Sequence, residues 1–129
     1  MTKHTPIWIL VSVVKAIHQE LIATHGGLPG IRDEALLDSA LARPLNLFAY
    51  NPKASITELA ACYCVGLAKN HPFMDGNKRI ALTIGATFLE LNGLTLNASE
   101  TDAVMVVNQV AAGSMDEQTL SKWFEQHSS

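Results

Sequence analysis

Apolar residues recur at helical spacing along most of the chain, and polar clusters punctuate them. Near the N-terminus Leu10, Val13, Val14, Ile17 and Leu21 fall on one stripe of a helix. The Gly26-Gly27-Leu28-Pro29-Gly30 cluster should stop it, because glycines cap helices and proline opens turns. A short helix is expected after Asp33, carrying Leu36, Leu37 and Leu41 and ended by Pro44. Residues 44–53 hold Leu47, Phe48 and Tyr50 with no clear period, which marks them as a partner-facing or active-site flap. Ser55 and Glu58 have capping-box spacing ahead of an almost wholly apolar helix over 59–68. A second such helix covers 80–91 and meets a stop at Asn92-Gly93. Helices that are apolar all round belong in the middle of a bundle. Residues 94–96 read as a short extended connector. Ser99 and Asp102 cap a helix with Val104, Val107 and Val110 on one face, and a last helix over 116–126 should bury Leu120, Trp123 and Phe124. No segment sustains a two-residue alternation, so the expectation is all-α: a compact helical bundle, one domain over residues 1–129, with two central buried helices.

Composition narrows the function classes. A chain of 129 residues, 48% hydrophobic and with a net charge of −3, suits one folded domain and excludes disorder. Nine Lys+Arg against twelve Asp+Glu leave no basic surplus for binding nucleic acid by bulk charge. No run reaches the ~18 apolar residues of a membrane span. Lys3 and His4 before the apolar run at 7–14 imitate an export signal, but the pattern continues past Lys15 to Ile17, Leu21 and Ile22, as in a first helix of the fold. Cys62 and Cys64 do not face each other on a helix and are too few for a structural zinc site. They read as small core residues of a protein in a reducing compartment, the cytoplasm.

The chemistry concentrates between the two greasiest segments, in His71-Pro72-Phe73-Met74-Asp75-Gly76-Asn77-Lys78-Arg79. A polar loop wedged into a core is costly unless its groups pair with each other or with a ligand. Pro72 pushes residue 71 out of the α region, and Gly76 permits a backbone turn or close approach that a side chain would block. A helix starting near Asn77 directs its free N–H groups back into the loop, an anion site reinforced by Lys78 and Arg79. Two cations there oppose the helix dipole at about 0.3–1 kcal/mol each, a cost that a bound polyphosphate would offset. Asp75 could hold magnesium (Mg2+), which takes one or two carboxylates plus phosphate oxygens. His71 supplies an imidazole, the side chain suited to act as a general base near neutrality. Together these are the parts that phosphoryl transfer requires.

Residues 71–79 resemble the signature of the Fic/Doc proteins in its death-on-curing (Doc) form; the adenylylating Fic branch has glycine where this chain has Lys78. The Gly26–Gly30 cluster with Asp33, and Leu89-Glu90-Leu91-Asn92-Gly93, extend the resemblance over nearly the whole chain. It implies the toxin of a toxin–antitoxin pair, one that phosphorylates a threonine of elongation factor Tu with ATP and halts protein synthesis. By that likeness His71 would deprotonate the target hydroxyl and Asp75 would bind Mg2+. Gly76 and Asn77 would contribute to the anion hole, Lys78 and Arg79 would grip the phosphates, and Phe73 would be the buried anchor. A Phd-type antitoxin would restrain the toxin through a helix laid in a groove bordered by the first helix and the 44–53 flap. The competing readings are a Fic-type transferase of AMP to a protein hydroxyl and a non-catalytic, antitoxin-binding co-regulator.

Other conspicuous residues take plainer readings. His18 and His25 read as surface or helix-end residues. The 26–30 cluster lacks the ending of a phosphate loop and reads as a turn. Trp8, Trp123 and Phe124 are expected in the core, while Phe48 and Tyr50 stay open between core and flap.

Overall fold

Six helices follow one another in a computed structural model that describes residues 5–129: α1 (Val11–His25), α2 (Glu34–Tyr50), α3 (Ile56–Asn70), α4 (Asn77–Leu91), α5 (Glu100–Ala112) and α6 (Glu117–Gln126). The all-α expectation holds: among the described residues the only extended pairings are isolated bridges, Ile31 with Phe73 and Leu96 with Ser128. The second belongs to the 94–96 connector, whose Thr95 exchanges both backbone hydrogen bonds with Ser129 (2.9 and 3.1 Å). No helix is long and apolar enough to cross a membrane among these residues.

α3 is the axis of the bundle. Every residue from Leu59 to Ala68 is buried, and the helix packs most extensively against α4, α2 and α6. Its start is the expected capping box: Ser55 Oγ accepts from Glu58 N–H and Glu58 Oε1 from Ser55 N–H, both at 3.1 Å. The small residues of α3 let its neighbours approach closely. A Cβ on Gly66 would lie 3.3 Å from both the Cα and the carbonyl oxygen of Ala40 on α2. Cys62 and Cys64 are two of these buried small residues. Burial pushes the Cys64 thiol up to about 12, and burial with the Glu117 carboxylate nearby does the same for Cys62, so both stay protonated at neutral pH.

The structure corrects four local expectations. Pro44 does not end α2, which runs through it to Tyr50. Pro44 has no N–H to give the Ala40 carbonyl, and this carbonyl instead faces Gly66 across the close α2–α3 contact. The expected flap is therefore largely the last turns of α2. Phe48 packs edge-on against Trp8 at 5.7 Å, and Tyr50 stands 91% exposed at the helix end. On α1 the buried stripe is Val14, His18 and Ile22, while Leu10 and Val13 face solvent. α1 carries apolar residues on more than one side, so periodicity alone placed the stripe one face away. On α5, Val107 and Val110 are buried with Ala103 and Val106, and Val104 is exposed. Leu120 and Phe124 are buried on α6, whereas Trp123 is half-buried, stacked on His127 at 4.6 Å.

Gly66→Val should cost about 1–3 kcal/mol, read by urea unfolding, because the added methyls meet α2 backbone rather than a side chain that can swing away. Iodoacetamide at pH 7.5 should modify Cys62 and Cys64 at least about a hundredfold more slowly in the native protein than in guanidinium, since only the thiolate reacts.

Candidate active site

The link between α3 and α4 is residues 71–76, and its backbone is almost fully accounted for. His71 ends α3 in the left-handed region (φ 48°), the one non-glycine residue with positive φ among those described. The steric push of Pro72 removes it from the helical region, and the chain turns away. Arg32 closes the helix end: its Nε donates to the His71 carbonyl (2.7 Å) and its Nη2 to that of Asn70 (2.9 Å). A cation there also suits the negative pole of α3. The loop is then zipped to the 30–33 segment. Arg32 and Asp33 N–H groups donate to the Pro72 carbonyl (2.7 and 3.0 Å), and Met74 N–H donates to that of Gly30 (3.0 Å).

Inside the turn Phe73 is the buried anchor. Asn77 brackets its backbone, accepting from Phe73 N–H at Oδ1 and donating from Nδ2 to Phe73 O, both at 3.0 Å. The Asn77 side chain therefore closes the loop, and only its backbone N–H is left for an anion. His18 is not the surface or helix-end residue expected from the sequence. It is 2% exposed, stacked on Phe73 with ring centroids 3.8 Å apart, and its Nε2 lies 2.8 Å from the Asp75 carbonyl oxygen. The spacing Val14–His18–Ile22, one residue per turn, is the signal that would have revealed it. His25 is exposed at the end of α1, as expected.

The turn at residues 26–30 grips Asp75. Asp75 Oδ2 accepts from Leu28 N–H (3.2 Å) and Oδ1 from Gly76 N–H (3.0 Å). A Cβ on Gly27 would sit 2.9 Å from Oδ2, so glycine is required for this approach. Arg32, Gly27 and the Leu28 N–H join the site only through the fold; Gly27 and Leu28 lie in the 26–30 cluster that the sequence singled out as a turn, whereas nothing in the sequence marked Arg32.

What the turn leaves in solvent is its chemistry. The side chains of His71 at the end of α3, Asp75 in the turn and Lys78 and Arg79 at the start of α4 are exposed, and among the described residues Lys78 and Arg79 have no ion-pair partner. α4 begins at Gly76 (φ 73°) without a side-chain cap or an acidic residue in its first turn. The N–H groups of Asn77, Lys78 and Arg79 precede the first intrahelical bond, from Ile80 N–H to Gly76 O (2.9 Å). That set of donors and cations complements an anion. Among the described residues no cluster of three His, Cys, Asp or Glu could hold a metal alone. Asp75 keeps a lone pair on each oxygen beyond its N–H contacts, which fits a Mg2+ ion shared with phosphate oxygens and does not fit a protein-only cage. A surface cavity of about 560 Å3, lined by Ser55, Glu58, Glu117 and Ser121 among others, lies at the opposite end of α3 and is not part of this cluster.

Comparison with known proteins covers the same elements. The sequence profile of the Fic/DOC family matches residues 8–89, which span α1 to α4 and the loop. A protein of Escherichia phage P1 named Protein kinase doc is 37% identical over 79 residues, 61% of this chain and 63% of its own length. One from Mycolicibacterium smegmatis named Toxin Doc is 38% identical over 94 residues, 70% of this chain and 72% of its own.

Asn77→Ala should lower stability by about 2 kcal/mol in urea unfolding, since it strands the Phe73 N–H and carbonyl together. Asn77→Asp, which keeps the acceptor and loses the donor, should fall between it and the wild type.

Proposed function

The chain belongs to the Fic/DOC family, and on that footing we propose that it is a Doc-type toxin that transfers the γ-phosphate of ATP to a hydroxyl of another protein. The observation carrying this reading is the uncapped N-terminus of α4, with Asp75 just before it, exposed Lys78 and Arg79 in its first turn, His71 exposed at the end of α3, and Lys78 where the adenylylating branch has glycine. The names of the phage and mycobacterial relatives, Protein kinase doc and Toxin Doc, support it.

The His71 imidazole, exposed at the end of α3, takes the proton as the target oxygen forms its bond to the γ-phosphorus; the bond to the bridging oxygen breaks and ADP leaves. Charge on the transferring group is met by Lys78, Arg79 and the first N–H groups of α4, which the fold has aimed before substrate arrives. Asp75 would hold Mg2+ together with phosphate oxygens, and that ion supplies charge neutralisation when bound. Gly76 lets the backbone pass close to the phosphates, and Asn77 keeps the turn closed while offering its N–H.

Likeness to the Doc branch supports a threonine of a translation protein, such as elongation factor Tu, as acceptor, and cytoplasmic arrest of protein synthesis as the outcome. A Phd-type antitoxin helix suits the apolar residues Ile7, Leu10, Val11 and Val13, which stand 38–67% exposed. Residues 1–129 would act as one such domain.

Purified protein incubated with Mg2+, elongation factor Tu and ATP labelled at either phosphate should transfer label from the γ-position only, and His71→Ala should reduce transfer at least about a hundredfold. Label arriving from the α-phosphate would replace the kinase reading with AMP transfer. Toxicity in cells undiminished by His71→Ala would favour the non-catalytic binding module.

A further inference from the structure

Gly76 makes the start of α4 ambiguous. Its left-handed conformation (φ 73°) is one that glycine enters freely, and glycine also tolerates the alternative in which the preceding peptide is turned over. In the observed orientation the Asp75 carbonyl points into the core and the Gly76 N–H points outward, to Asp75 Oδ1 (3.0 Å). Turned over, that carbonyl would stand among the first N–H groups of α4 and set a partial negative charge against an arriving phosphate. The outer tether is to an exposed carboxylate that would be shared with a metal ion. The inner one is to the buried His18.

We propose that His18 is a positioning residue that locks the Asp75–Gly76 peptide with its carbonyl turned into the core, keeping the anion cradle of α4 open. The inference rests on the reading of that helix start as the phosphate site. A carbonyl can only accept, so His18 Nε2 carries the hydrogen of the 2.8 Å contact. The ring cannot drift from this pose. It lies flat on Phe73, 11° from parallel, and Phe73 is itself held by Asn77. Space above the peptide is closed as well: a Cβ on Gly76 would be 3.3 Å from Ile22 Cδ1 and 3.7 Å from His18 Nε2. Imidazole combines a flat face for Phe73 with an N–H at its far edge, in a smaller ring than the indole that also has both. Phenylalanine would keep the face without the donor, and glutamine the donor without the face. Donors aimed in advance cost nothing to reorganise when substrate arrives, which is what the lock contributes.

Two variants separate this role from plain packing. His18→Phe should remain folded, bind inorganic tripolyphosphate about tenfold more weakly, and split or broaden the Gly76 and Asn77 amide signals in 1H–15N spectra. His18→Gln should restore tripolyphosphate affinity to within about threefold of wild type even though its melting temperature falls, because the donor is back and the stack is not. A packing role would give the opposite order. Unchanged affinity and a single, unshifted Gly76 amide in His18→Phe would overturn the proposal. If the wild type binds no tripolyphosphate, the phosphate reading fails, while the Gly76 amide comparison still decides the lock. If His18→Phe does not fold, long-range 1H–15N spectra of the wild type decide: a protonated Nε2 supports the lock and a bare Nε2 refutes it.

Discussion

Asn77 returns both ends of its carboxamide to the backbone of Phe73, and the rest of the site is arranged around that closed turn. The chain leaves α3, buried from Leu59 to Ala68, and enters α4, buried along one face, within residues 71–76, where peptide groups have no ladder to join. Each buried N–H or carbonyl left unpaired there would cost on the order of 1–3 kcal/mol. The partners come from four directions: Asn77 from α4, His18 from α1, Arg32 from the approach to α2, and the backbone of residues 28–33. The turn is therefore a junction of elements far apart in sequence, and it ties α1, which packs chiefly on α4, to the loop as well.

Pairing the inner groups so completely decides what faces outward. The exposed rim keeps one carboxylate, one imidazole, two cations and the uncapped start of α4. Uncompensated positive charge at a helix N-terminus disfavours the empty state, and an anion offsets it. The scaffold that stabilises the turn and the surface that would bind a polyphosphate are thus two sides of the same nine residues. Rigidity on the inside is what allows groups in solvent to hold their aim.

Much of this was legible in order along the chain. The capping box at Ser55, the apolar core of α3, the stop after Leu91 and the dense polar run from His71 to Arg79 are local signals with local causes, and the structure has them where they were expected. Failures occurred where a neighbour outvoted the local signal. Pro44 breaks one hydrogen bond of α2, but packing against α3 at Gly66 and Ala40 carries the helix on to Tyr50. Val13 and Leu10 have the apolar character of core residues, yet α1 meets the bundle along Val14, His18 and Ile22. His18 was misjudged because burial of an imidazole depends on a ring and a carbonyl more than fifty residues away.

The sequence by itself determined the all-α character, the two apolar helices and the identity of the chemical groups between them, because periodicity, capping and glycine–proline punctuation act within a few residues. Only the tertiary structure decided which face of α1 is inside, how Asp75 is gripped by the 26–30 turn, and which histidine supports the loop while another faces solvent. Those outcomes depend on contacts such as Gly27 with Asp75 and Arg32 with His71, about forty to fifty positions apart. A contact of that kind leaves no period or spacing in either segment, since each satisfies a polar group that exists only once the other has been folded against it.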